Sequence, residues 1–258
     1  MNVKTILQTT LVLFCLVTNG NIWAQTGKDI AQKVYNRPVP KDGESDMTMT
    51  LINKKGNERV RSLHKFFIDL GEVEKQIMFF KSPSDVKNTS FMNWSYESPE
   101  KEDDQWLYLP ALKKVKRISN SSKDKAFMGS DFTYEDMEKR NPNRDEHLLM
   151  DTAIVNGEVC WIVKATPKAT EQYSKKVAWI SKSRLIPIKI EYYDEDEILL
   201  KTLSILDVKK MSNYWIITKQ EMVNHQKNHK TQIHISNITI DKGLTEGQFS
   251  QRQMQRGL

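Results

Sequence analysis

Cysteine is nearly absent, with two residues in 258, Cys15 and Cys160; a disulfide-stapled scaffold is excluded. Glycine and proline are scarce at ten and eight, which excludes collagen-like and linker-dominated architectures. No apolar run reaches the length needed to cross a bilayer as a helix. The recognisable catalytic signatures are missing too: G-x-S-x-G, G-x-G-x-x-G, the P-loop, H-E-x-x-H and C-x-x-C do not occur. Ser130, in Gly129-Ser130-Asp131, lacks the strand–turn–helix setting of a nucleophile elbow and reads as a turn serine.

What is present describes a globular protein: 28% charged and 38% hydrophobic residues, with mean hydropathy −0.60. The net charge of +6 and isoelectric point near 9.1 admit nucleic acid, anionic lipid or simple solubility as explanations.

The first segment decides among these. Met1 to Lys4 supplies a short positive segment, Thr5 to Val17 is mostly apolar, Thr18-Asn-Gly-Asn21 breaks the run, and Ile22-Trp-Ala24 offers a cleavage site before Gln25. Residues 1–24 therefore read as an export signal rather than a membrane anchor. Phe14 stands where a lipidated cysteine would need a small neighbour, so Cys15 is not a lipidation site. The expected mature protein is exported to the periplasm, retains Cys160 alone, and has no nucleic acid to meet. Cys160, within Val159-Cys-Trp-Ile-Val163, reads as a buried, inert thiol.

One helix is expected over Lys28 to Asn36, ended by Pro38-Val-Pro40. Strand periodicity follows. Met47, Met49 and Leu51 alternate with threonines, and Val60, Ser62, His64, Phe66 and Ile68 alternate with Arg61 and Lys65. Asn156-Gly157 is a strong hairpin signal. Eleven to thirteen antiparallel strands and one or two helices are expected, in one domain from about 28 to 245 with a polar C-terminal tail. A polar, helix-compatible insert interrupts the strands near 120–146. Several strands carry apolar residues on both faces, as in Gln76-Ile-Met-Phe-Phe80. The fold class is mainly β, and a half-open antiparallel barrel with helices over its concave side satisfies the pattern. A filled sandwich is the alternative.

His225, His229 and His234 form the one histidine cluster, and they read as parts of a solvated hairpin rather than a metal site. Asp194-Glu-Asp-Glu197 lacks the spacing of a calcium loop. No metal or cofactor is expected. Lys113-Lys-Val-Lys-Arg117 is the densest basic cluster; Lys113, Lys114, Lys116 and Arg117 suit transient contact with anionic headgroups, or protection of an edge strand. Eleven methionines and six tryptophans supply soft apolar surface suited to variable shapes.

Trp106-Leu-Tyr-Leu-Pro-Ala-Leu-Lys-Lys-Val-Lys-Arg-Ile118, followed by Phe127-Met-Gly-Ser-Asp-Phe-Thr-Tyr-Glu-Asp136, resembles the LolA-like outer membrane lipoprotein-sorting family. The resemblance extends over most of the mature chain. It implies a half-open barrel around a hydrophobic cavity, lid helices, and a non-catalytic periplasmic carrier. The cargo it implies is the acyl chains of lipoproteins or lipids, and an inner-membrane lipid exporter is a possible partner of a monomeric carrier. The cavity candidates are Met47, Met49, Leu51, Phe66, Ile68, Met78, Phe80, Met92 and Trp94. One departure stands out: Phe80-Lys81-Ser82-Pro83 has Ser82 where lipoprotein chaperones of the family carry an arginine before proline. That places arginine-controlled lid opening in question. A sensor or interaction module of the same fold, regulating an envelope response or a transporter, is the competing reading.

Overall fold

The computed structural model describes residues 25–258; the expected export signal over 1–24 and Cys15 lie outside the described residues. The described residues open with α1 (Gly27–Tyr35), started by a capping box in which the Thr26 hydroxyl accepts from the Asp29 amide and the Asp29 carboxylate accepts from the Thr26 amide. Thirteen strands follow, the upper end of the expected range: β1 (Asp42–Ile52), β2 (Glu58–Asp69), β3 (Val73–Ser82), β4 (Ser90–Tyr96), β5 (Asp104–Leu109), β6 (Lys114–Arg117), β7 (Asp145–Val155), β8 (Glu158–Pro167), β9 (Lys175–Ser181), β10 (Pro187–Tyr193), β11 (Leu199–Met211), β12 (Tyr214–Asn224) and β13 (His229–Ile240).

All thirteen form one antiparallel sheet in the order β6-β5-β4-β3-β2-β1-β13-β12-β11-β10-β9-β8-β7. Every neighbour is sequence-adjacent except at the centre, where β1 pairs with β13. The sheet therefore consists of two meanders joined at that seam. β6 and β7 are the two free edges, so the barrel is open.

Register fixes which side chains share a face. Leu51 stands opposite Thr231, Thr231 opposite Met222, Met222 opposite Leu203, Leu203 opposite Ile190, Ile190 opposite Ala178, and Ala178 opposite Val163. These residues line one continuous face, called inner here. α1 covers the β7–β9 end of it, packing Ile30 and Val34 against Leu149, Trp161, Val163, Ala178 and Ile180. Gly27 makes this approach possible, because a Cβ there would lie 2.6–2.8 Å from the β7 backbone at residues 147–149.

The insert between β6 and β7 contains no α-helix. It folds as four short 3-10 turns, at Asn120–Ser122, Phe127–Gly129, Glu135–Met137 and Pro142–Arg144. Its aromatic residues Phe127, Phe132 and Tyr134 enter the core beside Met47, Met49, Phe80 and Phe91. This helix-compatible segment forms 3-10 turns instead, shaped around those buried rings and by side-chain bonds to its own backbone, such as Ser130 Oγ to Phe127 O at 2.7 Å.

The C-terminal residues read from sequence as a polar tail are folded. A turn at Glu246–Gln248 leads into α2 (Gln251–Arg256), which covers the outer face of β4, β5 and β6. Phe249 and Met254 are 1% and 0% exposed, in a cluster with Ile68, Ile77, Phe79 and Met92. Two large apolar side chains in a polar context are enough to anchor the segment, since burying each is worth about 1.5–3 kcal/mol.

Candidate functional site

The inner face between β1 and β5 is closed by the insert, here called the plug. Phe127 stacks edge-on against Phe91 with centroids 4.9 Å apart and against Tyr134 at 5.6 Å. Polar side chains on the wall hold plug carbonyls. Gln76 Nε2 donates to Met137 O and Gln105 Nε2 to Tyr134 O, both at 2.8 Å, and the Arg61 guanidinium donates to Met128 O. On the far wall Lys201 Nζ reaches Asp131 O at 3.1 Å and the Asp136 carboxylate at 2.5 Å. Asp131 also accepts from Thr231 Oγ1 at 2.7 Å and lies 2.7 Å from His229 Nδ1. Thus Gly129-Ser130-Asp131 and Asp136 in the sequence signature are fasteners.

Alternation divides the nine cavity candidates. Met47, Met49, Leu51, Met78 and Phe80 point to the inner face and are buried under the plug. Phe66, Ile68, Met92 and Trp94 point to the outer face, under Phe249 and Met254. The two sets lie on opposite sides of one sheet.

Open apolar surface lies elsewhere on the inner face, at the mouth of the barrel. A cavity of about 300 Å³ is lined by Val39, Phe67, Trp215, Ile216, Ile235, Ile238 and Ile240, among others. All seven are half-buried. A bulge creates this row. Ile235 pairs with Met47 and Ile240 with Gly43, and Asn237 between them adopts φ 50° where the register slips. The slip brings Ile235, Ile238 and Ile240 onto one side. Gly43 sits behind Phe67, whose ring would lie 2.7 Å from a Cβ at that position. Sequence reasoning missed these residues because 235, 238 and 240 break the period of two; Asn237 was the available signal.

The mouth also carries charge. Arg37, Lys65 and Lys139 line it together with Glu44 and Glu74. Glu74 lies 3.6 Å from Lys139 Nζ, while Glu44 is drawn to His64 Nε2 at 3.3 Å. Burial lowers the proton affinity of both Arg37 and Lys65, and the Glu74 charge opposes that shift. At the opposite mouth is a polar cavity of about 330 Å³ lined by Lys54, Asp131, Thr133, Lys201, Asn224 and His229, among others.

The fold has counterparts in solved structures. A domain from Vibrio parahaemolyticus, described as a putative outer membrane lipoprotein-sorting protein domain, is 33% identical over 89% of this chain and 98% of its own, with a TM-score of 0.83. The chain belongs to the LolA-like lipoprotein-sorting family. A DUF1329 family protein from Desulfovibrio piger is 32% identical over 88% of this chain and 97% of its own, also at TM-score 0.83. A LolA superfamily protein from Nitrosomonas europaea shares the fold at 16% identity and TM-score 0.69, over 89% of this chain and all of its own. A family model described as an uncharacterized protein matches residues 72–256. No curated protein matches.

The LolA-like pattern clarifies the remaining sequence candidates. Ser82 ends β3 opposite Ser62, and Lys81 turns to the outer face, 3.4 Å from Asp46. The arginine that grips the plug is Arg61, on the neighbouring strand. Lys113, Lys114 and Lys116 are exposed on and beside the free edge strand β6, and Arg117 Nε donates to Asp104 at 3.0 Å. His229 is engaged by the plug and His234 is exposed on the outer face, so the histidines do not converge. Among the described residues no group of three or more His, Cys, Asp or Glu could hold a metal. Cys160 is a buried free thiol.

Proposed function

We propose that this protein is a periplasmic carrier that shelters acyl chains of lipids or lipoproteins in the isoleucine-lined mouth of its barrel and moves them toward the outer membrane, without catalysis. The observation that carries the reading is the row Ile216, Ile235, Ile238 and Ile240, which leaves branched apolar surface open at the end of a lumen. Such surface is costly in a protein with no ligand for it. Each acyl methylene removed from water there is worth about 0.8 kcal/mol, so even partial coverage of a sixteen-carbon chain gives useful affinity. The cavity is at the lower end of the range for ligand sites, which suits one chain, or more if the plug withdraws. The related lipoprotein-sorting domain supports the same class of cargo.

Trp215 is a built-in reporter because it lines the cavity. Titration with a bromine-substituted palmitate should quench its emission, and Trp215→Phe should remove that part of the signal. Native mass spectrometry of the protein taken from a periplasmic extract should show acyl-bearing adducts. A parent protein that neither carries adducts nor quenches would overturn the carrier reading and favour the sensor, in which the plug-filled interior is itself the finished structure.

A further inference from the structure

The apolar mouth contains cations that an acyl chain alone does not explain. Arg37, just beyond α1, has its Nε buried without a hydrogen-bond partner. Its Nη1 donates to Val34 O at 3.3 Å. Lys65, on the inner face of β2, stands opposite Met78 and Ser45. Among the described residues no carboxylate oxygen lies within the 4.0 Å ion-pair distance of either side chain. The nearest aromatic contact of Lys65 is its ammonium 5.9 Å from the centre of the Phe67 ring. The acidic groups of the lining do not settle the balance. Glu74 is shared with Lys139, and Glu44 is occupied by His64 and by Thr239 Oγ1 at 3.3 Å.

A desolvated cation with unsatisfied donors is unfavourable unless something completes it. Arg37 has such a donor, Lys65 beside it is half-buried with no carboxylate in ion-pair range, and a site built only for neutral chains has no use for two such cations beside isoleucines. We infer that the ligand of this mouth is an anionic amphiphile, a single hydrocarbon chain ending in a carboxylate or phosphate that Arg37 and Lys65 hold while the isoleucines cover the chain. The inference rests on the carrier reading and narrows it. A neutral lipid or a lipoprotein's esterified glyceryl group would leave both cations as they are. An anion would instead receive charge-assisted hydrogen bonds, with the planar Arg37 guanidinium able to grip two oxygens at once.

The test compares three sixteen-carbon probes against the mature chain by competition with a fluorescent fatty acid: palmitate, hexadecyl phosphate and hexadecanol. At least one anion should bind about tenfold more tightly than hexadecanol or better, as expected for a charge-assisted contact, and comparing palmitate with hexadecyl phosphate separates carboxylate from phosphate recognition. Lys65→Met should erase most of that preference while hexadecanol affinity is kept or raised, and Arg37→Gln should lower anion binding severalfold. Lys65→Gln serves as a second variant if the methionine perturbs the melt. Equal binding of hexadecanol, or a preference that survives both substitutions, overturns the anionic assignment and leaves the carrier standing. Failure of all three probes to bind overturns both.

Discussion

Lys201 Nζ lies 2.5 Å from Asp136 Oδ2, with the two side chains only 2% and 4% exposed. One belongs to β11 and the other to the plug, so the pair spans the barrel interior. Asp136 also accepts from the Thr133 amide at 2.7 Å and from the Tyr173 hydroxyl at 3.1 Å. Removing one partner leaves an uncompensated buried charge, which typically costs 3–5 kcal/mol. Asp136→Ala should therefore destabilise the protein by about that amount in urea unfolding, whereas Asp136→Ala combined with Lys201→Met should recover a large part of the loss. A double variant no more stable than the single one would show that the pair does not act as a unit.

Filling the barrel mouth and filling the core should have separable effects. Ile238 is half-buried on the open cavity, so Ile238→Trp should change stability by less than about 1 kcal/mol yet weaken uptake of a fluorescent fatty acid. Met49 is 0% exposed beneath the plug, and Met49→Trp should cost about 1–3 kcal/mol through overpacking. A melt and a ligand titration on both variants check this. Unchanged uptake in Ile238→Trp would move the ligand away from the mouth.

The basic edge offers a test of membrane contact. Lys114 and Lys116 are exposed on β6, a free edge of the sheet. Each cation near an anionic surface contributes about 1 kcal/mol, and salt screens it. Lys114→Glu with Lys116→Glu should reduce cosedimentation with phosphatidylglycerol vesicles by an order of magnitude or more while leaving the melt nearly unchanged. Equal cosedimentation would assign these lysines to edge protection alone.

Glu138 gives a pH signature. Burial pushes its carboxyl up to about 7, against the attraction of Lys123 at 2.7 Å. Lys123 also lies 3.6 Å from Glu102 and donates to Asp103 O at 2.9 Å, so it does not depend on Glu138 alone. In the unfolded chain Glu138 ionises near its ordinary value of 4.5. The folded state thus holds a proton that the unfolded state has lost between those values, and the stability gained from that proton is fully present below 4.5 and gone above 7. Glu138→Gln mimics the protonated form. Its melting temperature relative to the parent should rise as pH increases from 4.5 to 7, and a constant difference across that window would refute the assignment.

The strands were legible because their alternation is regular: Met47, Met49 and Leu51 announce β1, and Asn156-Gly157 announces the β7–β8 hairpin. The family signature was legible as well, although its residues turned out to fasten the plug. Which face turns inward was not legible, because β3 carries Ile77 and Phe79 on one side and Met78 and Phe80 on the other, equally apolar. Only pairing across the seam decides between them. The mouth escaped notice because the bulge at Asn237 breaks the alternation within β13, so Ile235, Ile238 and Ile240 do not read as one face. The C-terminal anchor escaped because Phe249 and Met254 are isolated among polar residues.

The central seam has a kinetic consequence. Within each meander a strand finds its partner a short distance along the chain, but Met47 must find Ile235 across most of the polypeptide. Pairings that distant close late and slowly. The first strand to emerge must wait for the last, with its backbone edge unpaired and open to the wrong neighbour. Refolding should therefore be limited by closure of β1 on β13, and a chain halted before β13 would leave its two halves without the join that makes them one sheet.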